Sequence, residues 1–133
     1  MATSIEAVHA NLPRIDQGAT WFVDLGWFAD VDGVRTPVNL AGYEIRVRLM
    51  RSASNVVLDV QTITIDDPSS GMFEIRLSEE ETQNLPFRNF RSVRFSIRVD
   101  LKRTGPDDLA TGYRTGEVVA LVAGTVTAYQ LGA

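Results

Sequence analysis

The sequence predicts an all-β chain, a single immunoglobulin-like antiparallel β-sandwich with one short helix near residues 78–85. Three observations carry this expectation. Apolar residues recur at every second position through six or seven segments, as in strands that bury one face. Clusters of Asp, Gly and Pro separate those segments in arrangements that reverse a chain. Only one stretch carries helix-capping chemistry.

Along the chain, TWFVDLGWF puts Trp21, Val23, Leu25 and Trp27 on one face, with Thr20, Asp24 and Gly26 opposite. DVDGVRTP then reads as a turn. In YEIRVRL, Tyr43, Ile45, Val47 and Leu49 oppose Glu44, Arg46 and Arg48. NVVLDVQTI sets Val56, Leu58 and Val60 against Asp59 and Gln61, and after the turn DDPSSG, MFEIRLS sets Phe73, Ile75 and Leu77 inward. LSEEETQNLP is the helix: Ser78 caps its first turn, Glu81 reaches back in a capping box, and Pro86 ends it. The clearest alternation is SVRFSIRVDLK, with Val93, Phe95, Ile97, Val99 and Leu101 inward. TGPDDLATG reads as a long, mobile hairpin tip. EVVALVAGTVTAYQL is partly apolar on both faces, as a central or covered strand would be. A small closed barrel is the alternative architecture.

The chain has 133 residues, enough for one domain with its own core. The expected division is an N-terminal arm over 1–14, the sandwich over 15–127 and a C-terminal tail over 128–133. No run approaches the roughly 18 apolar residues of a membrane span. The start, MATSIEAVHA, lacks the basic-then-apolar order of a signal peptide, so synthesis in a cytoplasm is expected.

Reactive chemistry finds little to build on. With no cysteine, disulfides, thiol catalysis and cysteine zinc sites are excluded. His9 is the single histidine, which rules out multi-histidine metal sites and leaves any Ser-His-Asp relay dependent on one residue far from the serine clusters. Asp30 and Asp32 vaguely resemble the start of a calcium loop, but Ala41 stands where the bidentate acid belongs, so Asp32-Gly33 reads as a hairpin turn. The DDP at 66–68 and the PDD at 106–108 read as turn residues. There is no phosphate loop, and the carboxylates form no specific pair. Trp21 and Trp27 fall on the apolar face, where core packing accounts for them better than a sugar platform. No catalytic, cofactor-binding or metal-binding residue is therefore assigned, and no enzyme is expected.

The cations are lopsided. The net charge is −4, yet twelve of the thirteen cations are arginine and only Lys102 is lysine. A GC-rich genome accounts for such a bias, and so does interface use, because the planar guanidinium pairs bidentately and stacks on rings. Arg46, Arg48, Arg76, Arg94 and Arg98 all take outward positions on alternating strands. They form a patch if their strands are neighbours. Glu44, Glu74 and Asp100 share those positions, so cross-strand ion pairs and a protein interface both remain as readings. Nucleic acid is not an expected partner, since it calls for a surface of one sign with interleaved aromatics.

One resemblance covers nearly the whole chain, from Ile15 to Thr127. It rests on IDQGATWFVDLGWF, DGVRTPVNLAGYEIRVRLMR, SSGMFEIRLSEEETQNLP and GEVVALVAGTVT. The matching residues are Gln17, Gly18, Asn39, Leu40, Gly42, Tyr43, Gly71, Phe73, Leu77, Ser78, Glu80, Thr82 and Leu85. This pattern resembles a family of bacteriophage virion domains, similar to the N-terminal domain of upper baseplate proteins of tailed phages and to related small tail and head-associated proteins. The resemblance implies a non-enzymatic virion component of the tail or baseplate. Its partners would be other virion proteins and copies of itself. A capsid decoration protein clamping the major capsid protein is one alternative, and a glycan-binding sandwich for host attachment is another. Upper baseplate proteins continue into a receptor-binding region, whereas this sequence stops at TAYQLGA, so direct receptor contact is not expected.

Overall fold

Two five-stranded sheets face each other across the alternating apolar residues. The computed structural model describes residues 3–9, 12–52, 55–88 and 90–130. In chain order the strands are β1 (Thr3–His9), β2 (Ile15–Asp16), β3 (Trp21–Val31), β4 (Val34–Pro37) and β5 (Tyr43–Ser52). β6 (Asn55–Val60), β7 (Thr62–Thr64), β8 (Met72–Leu77), β9 (Ser92–Arg103) and β10 (Val118–Tyr129) follow. The first sheet runs β1-β3-β8-β7, with β4 also beside β3; the second runs β2-β10-β9-β5-β6. Every pairing is antiparallel except the short one between β2 and β10. This is an immunoglobulin-like β-sandwich rather than a closed barrel.

The core follows the period of two. Val93, Phe95, Ile97, Val99 and Leu101 of β9 are all buried, and so are Trp21, Val23, Leu25 and Trp27 of β3 and Phe73, Ile75 and Leu77 of β8. Asp32 and Gly33 both take positive φ, 52° and 81°, which makes the tight turn joining β3 to β4. Such primed turns match the strand twist of a hairpin. Pro68–Ser70 form a 3₁₀ turn capped by Asp67, whose Oδ1 accepts from the Ser69 N–H at 3.0 Å.

The helix α1 (Glu79–Gln83) stands where its caps place it. Ser78 Oγ accepts from the Glu81 N–H at 3.1 Å, and Glu81 Oε1 accepts from the Ser78 N–H at 2.9 Å. Thr82, fully buried, accepts from the Gly18 N–H at 3.0 Å, while Gln17 Nε2 donates to the Gln83 carbonyl at 3.1 Å. Glycine suits position 18, where φ is +80°. The Gln17-Gly18 and Leu-Ser-x-Glu-Glu-Thr motifs therefore meet as one clamp between the helix and the turn that joins β2 to β3.

Four expectations need correction. Over residues 3–9 the expected arm is an edge strand paired with β3, with His9 opposite Leu25; residues 1, 2, 10 and 11 of it and 131–133 of the expected tail lie outside the described residues. DVDGVRTP is only half turn, since Val34–Pro37 return along β3 as β4. Val56 is 41% exposed rather than inward, because register shifts at Leu49/Met50 and Met50/Ser52 break the alternation against β5. β10, expected as a central or covered strand, lies between β2 and β9 in the sheet, but β2 pairs with it only at Ala128 and Tyr129.

Candidate protein interface

Four of the five outward arginines share one surface, the outer face of the second sheet. Register places Arg46 opposite Asp100, Arg48 opposite both Arg98 and Asp59, and Arg94 opposite Thr127. Two guanidinium groups directly across from each other repel unless something neutralises them. Asp100 does so. Its Oδ2 accepts from Arg48 Nη2 and its Oδ1 from Arg98 Nε at 3.2 Å. On the next strand pair Arg46 Nε donates to Asp59 Oδ1 at 3.2 Å.

These contacts differ in depth. Arg46 and Asp59 are about half exposed, so their pair contributes roughly 0–1 kcal/mol. The Arg48 and Asp100 side chains keep only 17% and 13% of their exposure, and removing Asp100 would leave the Arg48 guanidinium enclosed and without its carboxylate. Arg94 is exposed and has no ion-pair partner among the described residues. A shallow depression of about 260 Å³, lined by Glu44, Arg46, Asp100, Lys102 and Val118, lies on the same face. Cations outnumber carboxylates here, against the negative charge of the whole chain.

Arg76 is elsewhere. It lies on β8 in the first sheet, where its Nε donates to Glu74 Oε1 at 3.0 Å and its guanidinium sits 4.6 Å from the Phe22 ring centre. Glu74 faces Asp24 directly across β3, so Arg76 relieves a like-charge pair. The five-arginine patch is thus four arginines on one sheet and one on the other.

A second polar assembly, absent from the sequence reading, closes the end of the sandwich between β9 and β10. Arg103 is buried. Its Nε donates to the Pro106 carbonyl at 2.6 Å, its Nη1 to the Ala41 carbonyl at 2.9 Å, and its guanidinium lies 4.7 Å from the Tyr43 ring centre. Gly42, with φ +81°, lets it in: a Cβ there would stand 2.8 Å from Arg103 Nη1. Tyr43 Oη donates to Asp108 Oδ2 at 2.6 Å and lies 2.9 Å from Thr111 Oγ1. TGPDDLATG, residues 104–112, expected as a mobile tip, is held at Asp108 and Thr111 by such bonds, and Thr115 after it donates to the Gly105 carbonyl at 2.7 Å.

Electrostatics follow from this geometry. Burial, then the bond to Asp108, pushes the Tyr43 hydroxyl up to about 12. Burial alone would raise the Asp108 carboxyl. Hydrogen bonds from Tyr43, the Ala110 N–H and Thr111, with the Arg103 charge, outweigh it and hold the group below the ordinary carboxylate range. Tyr43 also packs edge-on against Trp27, with ring centres 5.1 Å apart. The arrangement locks a loop.

Both tryptophans are buried, as their alternation predicts. The exposed aromatics are Phe22, Phe90 and Tyr129. Guanidinium groups of Arg76 and Arg14 lie over Phe22 and Tyr129 at 4.6 and 5.0 Å, so of the three rings Phe90, 56% exposed, is the one left outside these contacts. Set beside known proteins, the chain matches no family model and no curated sequence.

Proposed function

We propose that the chain is a non-enzymatic structural protein of a tailed-phage virion, a tail or baseplate component or adaptor that mediates subunit assembly. Its partners are other virion proteins and copies of itself. The observation that carries this reading is the outer face of the second sheet. There the arginines of β5 and β9 are held in fixed places by Asp59 and Asp100, and the Arg94 guanidinium is left for a partner. Mixed charges in fixed places select a neighbour and set its register more than they add affinity. The likeness of the Gln17-Gly18, Asn39-Leu40 and Leu77–Thr82 motifs to virion domains supplies the setting. Capsid decoration would use the same face, and the guanidinium groups over Phe22 and Tyr129 count against a sugar stacking on those two rings.

The test is whether the protein is part of the particle. Purified, salt-washed virions of the phage that encodes it should contain the chain in fixed stoichiometry by mass spectrometry, with antibody label at the tail end. Label on the head would replace the tail reading with decoration. Absence from washed particles would end the structural reading.

A further inference from the structure

The two outer faces of the sandwich carry opposite charge. On the second sheet Arg46, Arg48, Arg94, Arg98 and Lys102 stand among Glu44, Asp59 and Asp100, so cations are in excess. Arg94 and Lys102 are exposed and make no ion pair among the described residues. On the first sheet the outward positions of β3 and β8 hold Asp24, Asp30 and Glu74, and the turn before β8 adds Asp66 and Asp67. Arg76 and Arg35 on this face lie over the rings of Phe22 and Phe28, at 4.6 and 4.5 Å.

The acidic face is only partly neutralised from within. Register sets Asp24 directly opposite Glu74, and the bond from Arg76 goes to Glu74. Asp24 and Asp66 are exposed and make no ion pair among the described residues. Both line a depression of about 280 Å³ with Asp67, Glu74 and Met72, and no cation lines it. Carboxylates gathered in this way repel one another, and a guanidinium from outside relieves them.

We propose that the arginine face of one copy docks on the acidic face of the next, so that copies stack head to tail. Charge complementarity selects this partner. Unpaired cations on one side of the sandwich meet unpaired carboxylates on the other side of an identical chain, whereas two second-sheet faces would set one cation excess against another. Exposed apolar side chains accompany the charges on both faces, Phe22 and Met72 on the first sheet and Val118 on the second. The two faces differ, so the contact is heterologous. Each copy keeps one face free for a further neighbour, and the stack closes into a ring or grows as a filament. The inference deepens the assembly reading by naming the partner of the arginine face, and rests on it only for a setting in a virion. It is tested on the free chain without particles, so either can fail alone.

Light scattering on the size-separated full chain at low salt should show species larger than a dimer as concentration rises. These should revert to monomer at about 1 M salt, where charge reaches only about 3 Å. That response needs no variant to fold. Arg94→Glu with Lys102→Glu spoils the second-sheet face, and Asp24→Lys with Asp66→Lys the first. Each double variant should keep the wild-type circular dichroism and associate only at roughly tenfold higher concentration or above. Mixed in equal amounts, the two variants bring one intact face each and should form a dimer that grows no further. A wild-type chain that is monomeric throughout, or whose assemblies survive high salt, overturns the proposal. So does either folded variant that assembles as wild type does, or a mixture that stays monomeric or regains full-size assemblies.

Discussion

On β9 the Arg98 guanidinium lies nearly half in solvent beside Asp100, whereas that of Arg103, further along the same strand, is enclosed by the 104–117 segment and the turn before β5. The residue type is the same and so is the strand. The difference is which face the pleat gives each one. Arg98 faces out, where water screens its pair, and a neighbouring subunit can be reached at little cost to the fold. Arg103 faces in, where its charge is tolerated because two carbonyls, a tyrosine ring and a nearby carboxylate surround it. Exposed arginines are therefore available for assembly, and the buried one belongs to the fold.

The inward face of β9 should give the largest effects. Phe95→Ala and Ile97→Ala should each lower stability by roughly 2–5 kcal/mol, because both side chains are buried. Ser96→Ala between them should cost only about half a kcal/mol, since it loses one long bond to the Met50 carbonyl. Denaturant titration separates these values, and equal effects at 95 and 96 would mean that the faces of β9 are misassigned.

The two arginines come next. Arg103→Met should cost about 3 kcal/mol, because the Pro106 and Ala41 carbonyls lose a charged donor in an enclosed place. Arg98→Met should cost about 1 kcal/mol or less, as Asp100 keeps Arg48. Comparable losses at both sites, measured by thermal or urea unfolding, would erase the distinction between face and corner.

Tyr43→Phe gives a smaller change with a pH signature. It removes the hydroxyl that bridges Asp108 and Thr111, at about 1–3 kcal/mol near neutral pH. The Tyr43 pKa is raised in the fold, so its contribution is complete below about pH 10 and is lost as pH climbs toward 12. The Asp108 pKa is lowered, so its contribution is present above about pH 4 and is lost as pH falls through the lowered value. Thermal midpoints against pH should therefore fall at both ends for wild type. The variant should lose the alkaline limb above pH 10 and flatten the acid one, and an unchanged profile would mean that the hydroxyl does not lock the loop.

Much of this was legible in the sequence wherever the signal was local. Alternation gave β3, β8 and β9 their faces, and Ser78 with Glu81 marked the helix start. β4 was missed because VRTP shows no alternation of its own and pairs only after the Asp32-Gly33 turn brings it back. Arg103 left a trace that went unread, since the same alternation that buries Leu101 carries residue 103 inward. Its partners Ala41, Tyr43 and Asp108 are distant in sequence, and no local pattern links them. At the interface, the spacing told which arginines point outward, but only strand order separates Arg76 from the other four. The motif residues Gln17, Gly18, Gly42, Ser78 and Thr82 prove to be clamps and turns, so their spacing reports the fold more directly than the role.

Arg94 is the cleanest probe of the claim that the outer face of the second sheet serves neighbouring subunits. It is exposed and makes no ion pair among the described residues, so reversing its charge breaks nothing within the chain. Arg94→Glu should leave unfolding stability within about half a kcal/mol of wild type. At an interface the same change sets a carboxylate against the partner's own, a penalty of roughly 2–5 kcal/mol. Copies per particle, counted in virions from a phage complemented with Arg94→Glu, should fall at least tenfold while the free chain stays folded. Wild-type copy numbers, with Arg46→Glu added to the same chain and still without effect, would contradict the claim and move attachment away from this face.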